Sequence, residues 1–335
     1  MAPALPFFNP PEWIEQSEQR KNDGPFTGQG GVAVAQRTTS NNKYSSFWYL
    51  LPGLVIYLAF YLIPSFQALY LSLFEWSGIG EKTFSGLQNY QRLFQDNLFL
   101  QSFANNLYFM AIYATIPVAL GLICAAILAQ GRVKSLILFR GAYFLPQVVP
   151  AIAVGIIWRW IYHPTFGLIN SCLSLIGQSN WQKAWLGDYS LVIHALAGIA
   201  VWLMFGYAMV IFLAGLQKVD KAYYEAAKVD GANRLVQFLK VTVPMLKNEI
   251  TMVVILNLIA AMKILDLVFV TTKGGPGNAS MVIGLYAYRI AFVQSNVGYG
   301  AAITTVMTII TVIIAWIVMI GGERSRGDEG NQRNG

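Results

Sequence analysis

Few residues in this chain are placed to make or break bonds. Its two cysteines, Cys124 and Cys172, and its two histidines, His163 and His194, are scattered, and Cys124 sits inside an apolar run. At those spacings they form no metal-ligand cluster, no disulfide framework and no nucleophile–base pair, so neither a catalytic residue nor a metal is expected. No Gly-x-x-x-x-Gly-Lys-Ser/Thr phosphate loop occurs, which leaves ATP hydrolysis without a seat in the sequence. What remains is a set of polar groups inside apolar runs, where each is expensive and therefore a functional candidate. Asn257 shares a helical face with Ala260, Ala261 and Ile264, and Tyr207 follows Met204 by about one turn. An aromatic hydroxyl and an amide suit stacking on and hydrogen bonding to a polyol. They serve equally to pack, or to bond one helix to another. Lys263 and Asp266, three residues apart, read as a structural ion pair toward a helix end.

The elements that must position these groups follow from composition. Of 335 residues, 56% are hydrophobic and 12% charged, and the mean hydropathy is +0.50. A soluble surface needs about 25–35% charged residues, so two soluble globules are excluded. The aromatic content of 14% and the long apolar runs exclude a disordered chain. Six stretches, about 46–73, 105–130, 134–162, 190–217, 248–271 and 300–320, match the ~20 residues that cross a bilayer as a helix. Residues 1–44 read as a polar, disordered tail without the basic and apolar parts of a signal peptide. Residues 45–321 form the membrane domain, and 322–335 a second polar tail. The expected fold class is all-α and polytopic.

Charge placement orients the spans. With the N-terminus inside, the inside segments hold 16 of the 23 Lys and Arg and the outside segments six. That bias obeys the positive-inside rule, puts both termini in the cytoplasm, and places Trp158, Trp160 and Tyr162 at the outer interface. The net charge of +7 is thus a topology signal, and no nucleic-acid partner is expected.

The inside connection 217–247 is the most informative. Tyr223, Tyr224, Glu225, Ala226, Ala227 and Lys228 are helix-compatible, and Asp230-Gly231 is a turn signal. A second amphipathic stretch carrying Leu235, Phe238 and Leu239 leads to Pro244. Two short helices joined by a turn are expected; an interfacial amphipathic connection would read the same on helix and charge alone.

The order of residues goes further. Glu225-Ala226-Ala227, then Gly231, then Val241-Thr242-Val243-Pro244 resembles the EAA loop of binding-protein-dependent ABC importer permeases, with Val at both aliphatic places of the close. Gly86-Leu87-Gln88-Asn89-Tyr90, Leu265-Asp266-Leu267-Val268-Phe269, Gly274-Gly275-Pro276, Tyr288, Ala291-Phe292 and Gly298-Tyr299-Gly300-Ala301-Ala302 are similar to the carbohydrate-type members. The likeness spans about 48–320 and is nearest the first-type permease of sugar importers. It implies a type I importer (MetI-like) fold of six transmembrane helices in a bacterial or archaeal plasma membrane. It implies that Tyr224, Glu225, Ala226, Ala227, Asp230, Gly231 and Pro244 dock an ATPase, and that Met204, Tyr207, Asn257 and Ala261 line the substrate path. It further implies a second homologous permease, two ATP-binding subunits that hold ATP and Mg, an extracytoplasmic solute-binding protein, a carbohydrate-type substrate and surrounding lipid. This chain itself would bind no cofactor. An ion-coupled secondary carrier is the competing class and would need coupling-ion groups at midplane, of which the sequence offers few.

Overall fold

The computed structural model describes residues 43–130 and 136–332, with side chains over 49–129 and 138–321. The reading of residues 1–42 as a tail lies outside the described residues. The chain divides into two compact units, 1–56 and 57–335. What is described of the first belongs to helix α1, Lys43–Tyr57.

The second unit is built from helices. A π-turn, Leu58–Leu62, runs into α2, Ile63–Leu71. A two-residue hairpin, β1 Phe74–Glu75 and β2 Thr83–Phe84, pairs antiparallel with Phe74 opposite Phe84. Next come α3 Gln88–Gln95, α4 Asn97–Gln130, α5 Leu136–Val148, α6 Ala151–Ile161 and α7 Leu168–Leu175. After them run α8 Val192–Leu216, α9 Lys221–Val229, α10 Arg234–Gln237, a π-turn Phe238–Thr242, and α11 Val243–Met245. The chain continues as α12 Lys247–Met262, α13 Asp266–Thr271, α14 Ile283–Tyr288, a third π-turn Arg289–Val293, and α15 Val297–Gln332.

Four helical runs are long and apolar enough to cross a membrane: Tyr49–Leu71, Asn97–Ala129, Val192–Leu216 and Val297–Gly321. Two bent pairs, Leu138–Val148 with Ala151–Ile161 and Arg234–Met245 with Lys247–Met262, bring the number to six where each is counted as one span. The stretch expected as one span over 134–162 is broken, Leu138–Val148 meeting Ala151–Ile161 at 97°. The break falls at Pro150, which caps α6 in an extended conformation (ψ 135) that a continuing helix cannot accept. The span expected over 248–271 stops at Met262 and resumes at Asp266. Lys263 is the C-cap of α12 and Asp266 opens α13, so the helical spacing that would pair them on one face is interrupted. α15 runs on to Gln332, past the end of its apolar segment near residue 320.

Two of the three π-turns end two residues before a proline, Pro64 or Pro244. Proline lacks an N–H and its ring crowds the carbonyl four residues back, which shifts the preceding bonding from i−4 to i−5.

α8 is the centre of the unit, hydrophobic on all sides, with 14 of its 25 residues buried. α4 packs along it, α5 crosses it, and α12 lies against α4. Small residues set these distances. A Cβ on Gly121 would come within 2.8 Å of the Met209 backbone nitrogen, and one on Gly206 within 1.7 Å of the Tyr143 carbonyl oxygen. With little hydrophobic drive between helices in lipid, such close backbone approach supplies the packing. Two apolar clusters result. One, around Phe109, Leu196, Ile199 and Tyr299, fills the end opposite the α9–α10 loop and the middle; the other, around Ala208, Phe212, Leu213 and Leu246, lies toward the loop.

Candidate functional site

The loop after α8 is built as a braced projection. Asp220 caps α9, its carboxylate accepting the Ala222 N–H at 3.0 Å. The far end closes in a Schellman turn: Gly231 N–H donates to Lys228 O at 3.0 Å, and Ala232 N–H to Ala227 O at 2.9 Å. Gly231 sits at φ +78, the left-handed region the motif requires. Asn233 then caps α10 through Val236 N–H at 2.9 Å, while the buried Gln237 donates its side-chain amide to Ala232 O at 2.8 Å. The Tyr224 hydroxyl meets Thr242 Oγ1 at 3.0 Å and ties α9 to the π-turn. Leu246, fully buried, plugs the stem into the loop-side cluster.

All seven residues that the EAA resemblance selected lie in this loop, in different positions. Glu225 and Ala226 are exposed on α9, flanked by Tyr223 at 49% and Val229 at 88% exposure. Tyr224 and Ala227 are half-buried, Asp230 and Gly231 form the turn, and Pro244 lies exposed at the base. The loop thus offers an outward carboxylate beside a small residue and an apolar side chain, on a frame held at three points. Such a face can enter a cleft of another protein and give one charge-assisted hydrogen bond.

The polar candidates within the spans separate. Met204 and Tyr207 on α8 are half-buried, and Met204 packs against the main cluster. Asn257 and Ala261 on α12 are 1% and 0% exposed, so both face the interior of this chain. Asn257 Nδ2 donates to the Tyr113 carbonyl at 2.9 Å. Tyr113 lies four residues before Pro117, which has no N–H to return to that carbonyl. The amide therefore fills a hydrogen bond that the proline in α4 removes, a repair that membrane helices need. Asn257 Oδ1 is buried without a hydrogen-bond partner among the described residues.

Other buried polar residues were not singled out from sequence. Asn106 on α4 donates to the Ala261 and Met262 carbonyls at 3.2 and 3.4 Å and accepts from Ile283 N–H at 2.8 Å. Asp96 caps α4 through the Leu98 and Phe99 N–H groups, and its second oxygen accepts from the Tyr286 and Tyr299 hydroxyls. Burial pushes the Asp96 carboxyl up, but these four hydrogen bonds outweigh it and hold it below its ordinary value. The 86–90 and 298–302 motifs meet at the same end. Asn89 Nδ2 donates to the Ser72 and Phe74 carbonyls, and Gly298 lies so close to Phe74 that a Cβ would stand 2.0 Å from its oxygen. The adjacent pair Asn105-Asn106 inside an apolar run was the available signal. For Asp96, only contacts far along the chain reveal its role.

Among the described residues no three His, Cys, Asp or Glu side chains gather as a metal site. The family described as the binding-protein-dependent transport system inner membrane component matches residues 117–324. The chain is 37% identical over 282 residues to the probable ABC transporter permease protein YurN of Bacillus subtilis (strain 168), covering 84% of this chain and 96% of that one. It is 31% identical over 316 residues to the diacetylchitobiose uptake system permease protein NgcF of Streptomyces coelicolor, covering 91% and 90%. In fold it is similar to a chain of a bacterial ABC transporter involved in the import of the acidic polysaccharide alginate, with a TM-score of 0.73 at 18% identity over 84% of this chain and 96% of that chain. With the family matched over more than half its length, and these relatives over most of it, the chain belongs to the binding-protein-dependent transport system inner membrane components and is a permease subunit of an ABC importer.

Proposed function

We propose that this permease carries an uncharged carbohydrate, such as a disaccharide, an oligosaccharide or a polyol glycoside, inward across the plasma membrane. A second homologous permease completes the path, an extracytoplasmic binding protein delivers the solute, and two ATP-binding subunits holding ATP and Mg drive the cycle. Both termini and the 217–247 loop face the cytoplasm. The observation that carries this reading is the capped α9 helix, which presents Glu225 and Ala226 outward on a stem fixed by Tyr224–Thr242 and by the Gly231 turn. A stiff element of this kind transmits closure of an ATPase cleft. The carbohydrate class is supported by relatives named for diacetylchitobiose, trehalose/maltose and lactose transport, and by the absence of a basic cluster among the polar groups singled out at midspan.

The half-buried Met204 and Tyr207 face of α8 contributes to the solute wall, and Asn257 and Ala261 support it from within the chain. The test is uptake by the complete transporter in sealed proteoliposomes. ATP inside the vesicles supports uptake, Glu225→Lys abolishes it and Gly231→Val lowers it sharply, while each subunit still inserts. Uptake sustained by an ion gradient without ATP, or normal uptake in both variants, would overturn the reading. A ligand screen on the cognate binding protein identifies the solute.

A further inference from the structure

A half-open cavity of about 650 Å³ lies behind α9, bordered by the adjoining ends of α4 and α8, by α5 and by the loop. That volume falls within the about 300–1,000 Å³ typical of small-molecule sites. Its walls divide by chemistry. Leu128 of α4 and Leu213 and Leu216 of α8 give an apolar side. Arg140 of α5 and Lys221, Lys228 and Arg234 of the loop give a cationic side, opposed among the described residues by the single carboxylate of Glu225. The Arg140 Nε is buried and has no hydrogen-bond partner among the described residues. A buried donor left unmade is costly, and a guanidinium is built to hold an oxyanion through paired N–H groups. Charge placement along the sequence reads these residues only as topology, yet four of them converge from three helices, α5, α9 and α10.

We propose that this cavity binds a phosphoryl group, with Arg140, Lys228 and Arg234 as its contacts and the apolar wall receiving the attached organic part. Two arginine forks and the Lys228 point charge, with Lys221 adding to the local positive field, match the spread charge of a phosphate ester. The carrier is either an anionic phospholipid of the adjoining leaflet or a soluble phosphorylated metabolite. A ligand held there bridges α5 to the loop and adjoins Glu225, bracing α9 from behind while the exposed Tyr223, Ala226 and Val229 stay open. The site is independent of the transported solute.

The experiment uses the complete transporter in phosphatidylcholine nanodiscs, without ATP or solute, so that its outcome is separate from any test of uptake. One arm compares binding of spin-labelled phosphatidylglycerol with spin-labelled phosphatidylcholine. The other titrates inorganic phosphate and glycerol 3-phosphate calorimetrically. Saturable binding in at least one arm is expected, lipid alone indicating a headgroup site and the soluble anions indicating a metabolite site. Arg140→Gln and Arg234→Gln should each weaken that binding by about tenfold, the loss of one charge-assisted hydrogen bond, while Arg140→Lys retains part of it. Should Arg140→Gln fail to fold, the exposed Arg234→Gln carries the comparison alone. No saturable binding in either arm, or unchanged affinity in every variant that folds, overturns the proposal.

Discussion

The hydrogen bond from Asn257 to the Tyr113 carbonyl can be separated from solute binding by a double-mutant cycle with Pro117. In the native chain Pro117 cannot supply the i→i−4 donor to Tyr113 O, and Asn257 Nδ2 does so from α12 at 2.9 Å. Asn257→Leu keeps the volume but removes the donor. Hydrogen bonds between membrane helices are worth about 0.6 kcal/mol on average and up to about 1.7. Leaving the carbonyl unmet inside the unit raises the expected loss to about 1–3 kcal/mol. Pro117→Ala restores an N–H at the correct position in α4. In that background the same Asn257→Leu change should cost well under about 1 kcal/mol, a coupling energy above the about 0.5 kcal/mol that independent sites show. Thermal unfolding of the permease in nanodiscs measures the cycle, and uptake is followed in parallel. Equal losses from Asn257→Leu in both backgrounds would refute the repair role. Lost uptake with unchanged stability in both would instead return Asn257 to the solute wall.

Gly231 should tolerate side chains in the order Asn, Ala, Val. A Cβ there meets nothing within 4 Å, so the cost is that of φ +78 alone, about 1–2 kcal/mol for an ordinary L-residue, or a factor of about 5–30 in the closed turn. ATPase stimulation that ranks Asn no better than Ala would show that contact with a partner, and not backbone conformation, sets the requirement. Tyr224→Phe should lower stability by about 1 kcal/mol and uncouple ATP hydrolysis from uptake, since it frees α9 from Thr242; unchanged coupling would remove the tether from the argument. Asp96 has a folded-state pKa below 3.8, so its contribution is fully present above that value and is lost as pH falls through the folded pKa. Acid unfolding should therefore begin at higher pH in Asp96→Asn than in the native chain, as followed by tryptophan fluorescence.

Much of this architecture was legible because lipid imposes simple rules. Apolar length marked the spans, and Lys and Arg placement supplied the expected orientation. In the loop the Asp230-Gly231 turn was legible at residue level, and the structure adds the Asp220 and Asn233 caps, both of capping residue types. The break in the third span was less visible. Pro146 and Pro150 both lie in its stretch, Pro146 is accommodated inside α5, and Pro150 turns the chain by 97°. Asn257 is the converse case. Its intramembrane position left a solute role and an interhelical bond equally open, and the bond it makes answers a proline 140 positions earlier, beyond the reach of any local pattern.

The proposed coupling follows a mechanical path through the same contacts. A load on the Glu225–Ala226 face of α9 enters α8 directly through the Asp220 cap and the short turn after Leu216. It enters the base of α12 through Tyr224 and Thr242, and both routes converge where Leu246 meets Gly215, Phe212 and their neighbours in the loop-side cluster. Close-packed groups of this kind move together because they cannot deform continuously. α8 is in turn locked to α4 at Gly121 and to α5 at Gly206, with no room for one methyl group at either crossing. Motion of α9 must therefore rotate or shift α8 as a body with these partners. Tyr207 lies beside Gly206 on that body, so the proposed solute wall moves with the docking helix. A larger residue at Gly206 should consequently disturb uptake at a site remote from α9, and retention of full coupling in Gly206→Leu would show that α8 and α5 need not move as one.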